Sequence, residues 1–295
     1  MARGRPAGLF VGLCTLDVIQ LVDHPPGADE KLTARDQLVA AGGPAANAAV
    51  AFAHLGGTAA LLTAIGRHAL GAAATTDLNA SGVTVTDLAA HSLEPPAVSS
   101  VLVTEATGER AVASTNATRH RLAPPDDLDA LLAACDIVEF DGHHMELAVA
   151  TARAARAAGR TTLFDGGSWK PGTETLLPFI DVAVCSADFH PPGTDTLRFL
   201  RQQGVAWSAV SAGAAPIVWA APDAEGTVDV PTVRVADTLG AGDVLHGALA
   251  HHLARRAARP TTEHFVAALT AAAEVASRSC TSFGTRAWTA GRGPS

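Results

Sequence analysis

The sequence predicts an α/β fold: a mostly parallel central sheet with helices on both faces, plus a small β-rich appendage. Three observations predict it. Short apolar runs alternate with Ala-rich stretches of helical length, which is the pattern of a parallel sheet. The chain has 295 residues, 48% of them hydrophobic, enough to bury a sizeable core. Residues 18–40 and 97–115 interrupt the alternation with β-type content and no helix between. We therefore read residues 1–295 as one domain carrying a discontinuous appendage assembled from those two stretches.

The elements follow in order. Residues 8–14 (GLFVGLC) read as a buried strand. Residues 44–55 read as a helix with Pro44 in its first turn, ended by Gly56 and Gly57. A strand at 58–65 precedes a helix at 70–81 that stops at Gly82. In the second interruption the chain turns near Thr107 and Gly108, as a hairpin does. Strands at 136–140, 161–165, 181–185 and 206–211 alternate with helices at 146–158 and 194–203. Two long helices, 242–257 and 261–278, close the chain ahead of a frayed end at 291–295.

Composition bounds the function. The formal net charge is -8 and no basic stripe is present, so no nucleic-acid partner is expected. The first apolar run is too short and too Gly-broken for a signal peptide or a membrane span, so no membrane partner is expected. Cys14, Cys135, Cys185 and Cys280 lie far apart without CxxC or Cys/His zinc spacing. Reduced thiols in a cytoplasmic protein are the simple reading. Tyr is absent and aromatics make up 4%, so the core must be Ala, Val and Leu. The only lysines are Lys31 and Lys170.

The strongest chemical signal is Asp237-Thr238-Leu239-Gly240-Ala241-Gly242-Asp243, opening the first closing helix. Gly240 and Gly242 lack Cβ atoms, so a ligand can approach the backbone closely. The loop feeds a helix N-terminus, where free N–H groups and the dipole favour an anion. Asp243 is then either a helix cap or a base for a hydroxyl lying beside a phosphoryl group. A second constellation is Gly42-Gly43-Pro44-Ala45-Ala46-Asn47, either a ligand-contacting turn or a plain helix start with a polar first turn. A third is Asp17, five residues after Gly12, a carboxylate able to accept two hydroxyls or simply to serve a turn. His143, at a strand end beside Asp141, is a candidate substrate contact.

Competing motifs fail. A dinucleotide fingerprint needs Gly where Leu245 stands, and no Gly-Lys-Ser/Thr triplet exists. Residues 166–170 are no nucleophile elbow, because Lys170 fills the last Gly position.

Taken together these constellations resemble the ribokinase-like carbohydrate kinases, the PfkB family. Residues 42–55 look like its first signature and residues 237–247 like its second, with DTxGAGD intact. Gly12 and Asp17, Gly108-Glu109-Arg110 and the order of elements agree, so the resemblance spans nearly the whole chain. Residues 11–17, Lys31, Asp165-Gly166 and the GDVLHGAL run look nearest the ketohexokinase and sulfofructose-kinase-like branch.

The resemblance implies a ribokinase-like fold whose appendage is a lid that closes over a sugar and pairs two subunits into a homodimer. It implies ATP and Mg²⁺, with a monovalent cation as a further option. By position, Asp243 becomes the general base and the N–H groups of Gly240, Ala241 and Gly242 the anion hole. Asp17, Gly42, Gly43 and Asn47 become sugar contacts, joined by Lys31 and His143. Ser211, Gly213, Thr238, Gly240, Gly242, Cys280 and Gly284 flank the nucleotide. The family's Asn-x-x-Glu element would fall on residues 186–189, where Asn and Glu are missing and Asp188 is left as the metal carboxylate.

The expected activity is ATP-dependent phosphorylation of a neutral sugar, a ketose or related polyol. Asp17 and Asn47 suit neutral hydroxyls, and only Lys31, Arg110 and Arg119 offer cations from the lid. The alternatives are a nucleoside, sulfosugar or phosphosugar kinase of the same fold, or a non-catalytic sugar-binding regulator.

Overall fold

The computed structural model describes residues 4–116, 120–193, 195–255 and 259–290. Arg119, the helix start at Thr194, the helical positions 256–257 and the tail 291–295 lie outside the described residues. The apolar run Ala7–Val11 forms β1 and is then left behind, because β2 (Thr15–Val22) and β3 (Asp36–Gly42) belong to a second sheet. The chain returns through α1 (Pro44–His54), which starts at Gly43 with φ 93° and has Pro in its first turn. Next come β4 (Thr58–Thr63), α2 (Ala69–Ala80) and β5 (Val83–Asp87), then the hairpin of β6 (Ala97–Thr104) and β7 (Arg110–Ser114).

Regular alternation follows. The elements are α3 (Leu128–Ala133), β8 (Ile137–Phe140), α4 (Met145–Ala157), β9 (Thr161–Gly166), α5 (Thr173–Leu176) and β10 (Val182–Ser186). After α6 (Thr196–Gln202) the chain forms β11 (Trp207–Ala212), β12 (Ala215–Ala220) and β13 (Glu225–Val228). The closing helices are α7 (Ala241–Ala254) and α8 (Thr262–Ser279). The Asp195 carboxylate caps α6 through the Arg198 N–H, and the Thr261 hydroxyl caps α8 through the His264 N–H.

The large sheet has nine strands in the order β13-β12-β11-β10-β9-β8-β1-β4-β5. It is parallel from β5 through β11, and its inner strands are buried at nearly every position, as strands covered on both faces must be. One apolar cluster gathers α1, α7 and α8 with residues such as Phe10, Phe52 and Leu249; the other gathers α3, α4 and α6 with Phe140, Phe164 and Leu200. Helix α7 approaches α1 closely at Gly247, where a side chain would collide with the Ala48 carbonyl.

The small sheet has the order β3-β2-β6-β7. Its boundaries correct two expectations. The first strand ends at Val11 rather than at residue 14, and the small sheet reaches from Thr15 to Gly42 rather than over 18–40, so Asp17 and Gly42 both lie in the small sheet. The hairpin turns where expected, with Gly108 at φ 68°. Strand β5 and the antiparallel edge pair β12 and β13 were not anticipated. β5 and β13 are short and mix apolar with polar residues, so they lack the continuous apolar run that marked the inner strands; β12 is itself an apolar run and was passed over.

Candidate active site

The loop before α7 is held at its base by Asp237. Its buried carboxylate accepts from the Leu239 N–H at 2.8 Å and from the Gly284 N–H at 2.9 Å, tying the loop to the segment after α8. The Thr238 hydroxyl accepts from Arg110 Nη1 at 2.9 Å, so the β6–β7 hairpin touches this loop. Gly240 begins α7 at φ 74°, a conformation that demands glycine, and no side chain caps the helix. A Cβ at Gly242 would meet nothing within 4 Å, so the helix start faces open space. The Ala241 N–H spends part of its capacity on the Thr238 carbonyl at 3.3 Å, a long turn bond.

Asp243 is therefore not a cap. Its half-buried carboxylate accepts from Asn47 Nδ2 at 2.8 Å. Burial, followed by the negative charge of Asp165, pushes its pKa up to about 7, while the Asn47 hydrogen bond and His246 oppose the rise. A carboxyl poised there is suited to take a proton near neutral pH.

Below it lies a buried polar layer. His246 follows one turn along α7, with Nδ1 at 2.7 Å from the Gly242 carbonyl and 3.3 Å from Asp165 Oδ2, and Nε2 at 2.9 Å from the Val184 carbonyl. Each ring nitrogen faces an acceptor. Burial raises the pKa of Asp165, and His246 opposes this. Asp141, at the end of β8, accepts from the N–H groups of Leu13 at 2.8 Å, Ala45 at 3.2 Å and His143 at 2.8 Å. It thus joins the turn after β1, the start of α1 and the β8–α4 turn. Burial alone would raise its pKa, but His143, Lys170 and the Leu13 N–H hold it well below the usual carboxylate range.

Among the expected substrate contacts, Asp17 is buried on β2, accepts from the Thr15 hydroxyl, and is pushed up by burial. Gly42 is glycine because a Cβ would collide with the Asp17 carboxylate. Gly43 is packed against the Leu13 carbonyl. The Asn47 amide is engaged at both ends, because Oδ1 also accepts from Arg286 Nη1 at 3.1 Å. His143 is mostly buried, with Nδ1 at 3.3 Å from Asp141 Oδ1. Lys31 stands exposed on the β2–β3 loop, and no hydrogen bond or ion pair among the described residues joins it to this cluster.

Of the expected nucleotide rim, Thr238, Cys280 and Gly284 are drawn together. The Cys280 carbonyl accepts from the N–H groups of Ala236 at 2.8 Å and Asp237 at 3.3 Å, which brings Cys280, Gly284 and Thr238 together. Ser211 is the penultimate residue of β11, and Gly213 makes the following turn at φ 59°. Asp188 is exposed in the turn after β10. Among the described residues no three His, Cys, Asp or Glu side chains are grouped to hold a metal. The described residues therefore do not fit a protein-caged Mg²⁺. An ion entering here would need nucleotide phosphates and water for most of its ligands.

Sequence reasoning gave no site role to Arg286, Asp165 or His246, and treated Asp141 only as a neighbour of His143. It also left out Lys170, whose Nζ lies 3.3 Å from the Asp141 carbonyl. The one available signal was an isolated charge in an otherwise apolar or small-residue run, as at Arg286 two residues after Gly284.

The profile of the pfkB family carbohydrate kinases matches residues 9–290. A candidate ribokinase from Agrobacterium tumefaciens is 28% identical, with 95% of this chain and 93% of that chain covered at a TM-score of 0.80. Ribokinase of Arabidopsis thaliana, solved with ribose and ATP, is 20% identical, with 96% and 94% covered at 0.73. Adenosine kinase of Sinorhizobium meliloti is 21% identical, with 96% of each chain covered at 0.79. The last two share the fold: a large, mostly parallel sheet with helices and a smaller separate sheet.

Proposed function

The chain belongs to the pfkB family of carbohydrate kinases and is an ATP-dependent carbohydrate kinase; from that premise we propose that it phosphorylates a hydroxyl of a small neutral sugar, a ketose or related polyol, with Asp243 as the base. The observation that carries this reading is the placement of Asp243. Its carboxylate is held by Asn47, free of any capping duty, beside the open start of α7, and poised near neutral pH.

In this mechanism the acceptor oxygen attacks the terminal phosphorus of ATP while Asp243 takes the hydroxyl proton. The new O–P bond forms as the bond to the bridging oxygen breaks, and ADP leaves with that electron pair. The N–H groups of Gly240, Ala241 and Gly242 face the charge on the transferring phosphoryl group. Mg²⁺ carried on the phosphates would neutralise them, with Asp188 offering one carboxylate. Asp17 would accept acceptor hydroxyls from the small sheet. The His144 side chain lines a cavity with Leu13, Cys14, Ala97, Asn116 and His120. Burial lowers its pKa to about 4, so it is neutral at pH 7.

The small sheet acts as the lid. Its inner apolar residues Ile19, Val101 and Val103 pack with Leu239 and Phe283 beside the nucleotide rim. Val18, Val39 and Leu102 share the opposite face, and Val39 is 46% exposed. A second copy of the chain covering that face would make the homodimer. The four unpaired thiols suit a reducing, cytoplasmic compartment. Among the described residues no helix is long and apolar enough to cross a membrane.

A second reading has one specific support. Lys170 sits beside the end of β8, where acceptors bind in open α/β sheets, and its charge would favour an anionic sugar. One experiment tests both. ATP turnover is measured for wild type and Asp243→Asn against neutral ketoses, aldoses, nucleosides, and phosphorylated and sulfonated sugars. The proposal expects a neutral ketose or polyol to lead, and the variant to lose about 10²-fold or more in kcat while still binding ATP. Near-normal turnover in Asp243→Asn would overturn the base. A tenfold preference for an anionic sugar, roughly 1.4 kcal/mol, would overturn the neutral acceptor.

A further inference from the structure

We propose that Arg286 is a positioning residue for Asp243: it holds the Asn47 amide in the orientation that donates to the base, and Asp77 in turn holds Arg286. The inference rests on reading Asp243 as the base, but its contacts stand independently of that reading. Asp77 Oδ2 on α2 accepts from Arg286 Nε at 3.1 Å and Nη2 at 2.9 Å. Arg286 Nη1 donates to Asn47 Oδ1 at 3.1 Å, and Asn47 Nδ2 donates to Asp243 at 2.8 Å. Four side chains from α2, the segment after α8, α1 and α7 thus form one continuous chain of hydrogen bonds.

The chemistry of each end fixes the direction. A guanidinium can only donate, and an ionised carboxylate can only accept. Asn47 must therefore turn its oxygen to Arg286 and its nitrogen to Asp243. A flipped amide would set two acceptors against each other at Asp243 and two donors at Arg286. Arg286 serves this task through its planar fork, which reaches Asp77, Asn47 and the Ala41 carbonyl in different directions; a lysine, as a single point charge, could not. The pair is sheltered, with 14% of the Arg286 side chain and 26% of the Asp77 side chain exposed. It also brackets Ala41, whose N–H donates to Asp77 Oδ2 at 3.0 Å and whose carbonyl accepts from Arg286 Nη2 at 2.6 Å. That grip sits immediately before Gly42, Gly43 and the helix that carries Asn47.

The signature of this role is electrostatic. Asp243 is faced by Asp165 and His246, by Asp17 from the small sheet, by Asn47, and by Glu139 of β8. Asn47 is the foremost of those groups that favour the ionised form. An amide that loses its anchor on Arg286 donates less of the time, and Asp243 then ionises at higher pH.

The test is a carboxyl-carbon NMR titration of Asp243 in the full chain, assigned through Asp243→Asn. It is run on wild type, Arg286→Met, Asn47→Ala and the double variant, with steady-state kinetics alongside. Arg286→Met is expected to raise the midpoint by about half a pH unit or more. It should lower kcat by roughly tenfold with less than about a threefold change in KM for ATP. In the Asn47→Ala background it should add nothing, because the two act in series. Asp77→Asn, which keeps its side-chain shape, should move the midpoint the same way and is read identically if Arg286→Met does not fold. An unmoved midpoint in a folded variant, or shifts that add in the double variant, overturns the proposal. A midpoint that moves as expected while Asp243→Asn keeps its turnover upholds the positioning and removes only the base assignment.

Discussion

Asn47 Nδ2 donates to Asp243 Oδ2 across 2.8 Å, joining positions 196 residues apart on α1 and α7. This bond links the two glycine-led turns of the chain, because Asn47 follows Gly42 and Gly43 while Asp243 follows Gly240 and Gly242. It also shows why the carboxylate does not cap its own helix: its acceptor capacity is directed outward, toward α1 and the open space beyond Gly242.

The pH dependence of turnover follows from the state of Asp243. With Asp243 as the proposed base the ionised form is the competent one, so kcat should fall as pH drops through about 7 and level off above it. After burial, Asp165 is the largest influence raising that value. Asp165→Asn removes its charge, so the acid limb of the kcat profile should move to lower pH. A limb that stays in place or moves up would separate Asp165 from the base.

Lys170→Met separates the two acceptor readings. With a neutral sugar, kcat/KM should change by less than about threefold, because a hydroxyl needs no counter-charge. With an anionic sugar it should fall by roughly tenfold or more, the weight of a charge-assisted contact. The measurement is kcat/KM for the best acceptor in the panel, for wild type and variant.

Gly43→Ala should destabilise the protein by about 1–3 kcal/mol, because φ is 93° and the added Cβ meets the Leu13 carbonyl, which is backbone and cannot swing away. Thermal melting should show a drop of several degrees. An unchanged melting temperature would mean that the turn re-forms around the methyl group.

Glu139 is fully buried on β8, neither carboxyl oxygen has a hydrogen-bond partner among the described residues, and burial with Asp165 pushes its pKa well above 4.5. An acid whose pKa is raised on folding binds its proton more tightly when folded, so this group costs stability as pH rises above 4.5. Glu139→Leu removes an unpaired polar group and should stabilise by roughly 1–3 kcal/mol, more at pH 8 than at pH 5. Melting curves at both values check it, and a loss of stability at pH 8 would indicate that the carboxyl has a role in the folded state.

Much of the fold was legible because inner parallel strands and the helices that cover them write long local patterns. The runs around Phe10 and Val184 are apolar, the run around Phe140 is apolar but for Glu139, and Pro44, Gly56 and Gly82 punctuate the helices between them. The edge strands β5 and β13 were not legible, since a short strand rich in polar residues resembles a loop in composition, and the apolar β12 beside β13 was passed over.

The sequence by itself determined the glycine-led start of α7 and the Asp243 that follows it, because both are set by neighbours within a single turn. It also determined the family, through two such local signatures. Only the tertiary structure decided that Asp17 belongs to the small sheet, that Asp141 ties three segments together, that Glu139 is buried without a partner, and that Arg286 reaches Asn47 across 239 positions. Those relationships depend on how α1, α2, α7 and the last segment cross, and a residue's local neighbours hold no trace of which distant side chain will meet it.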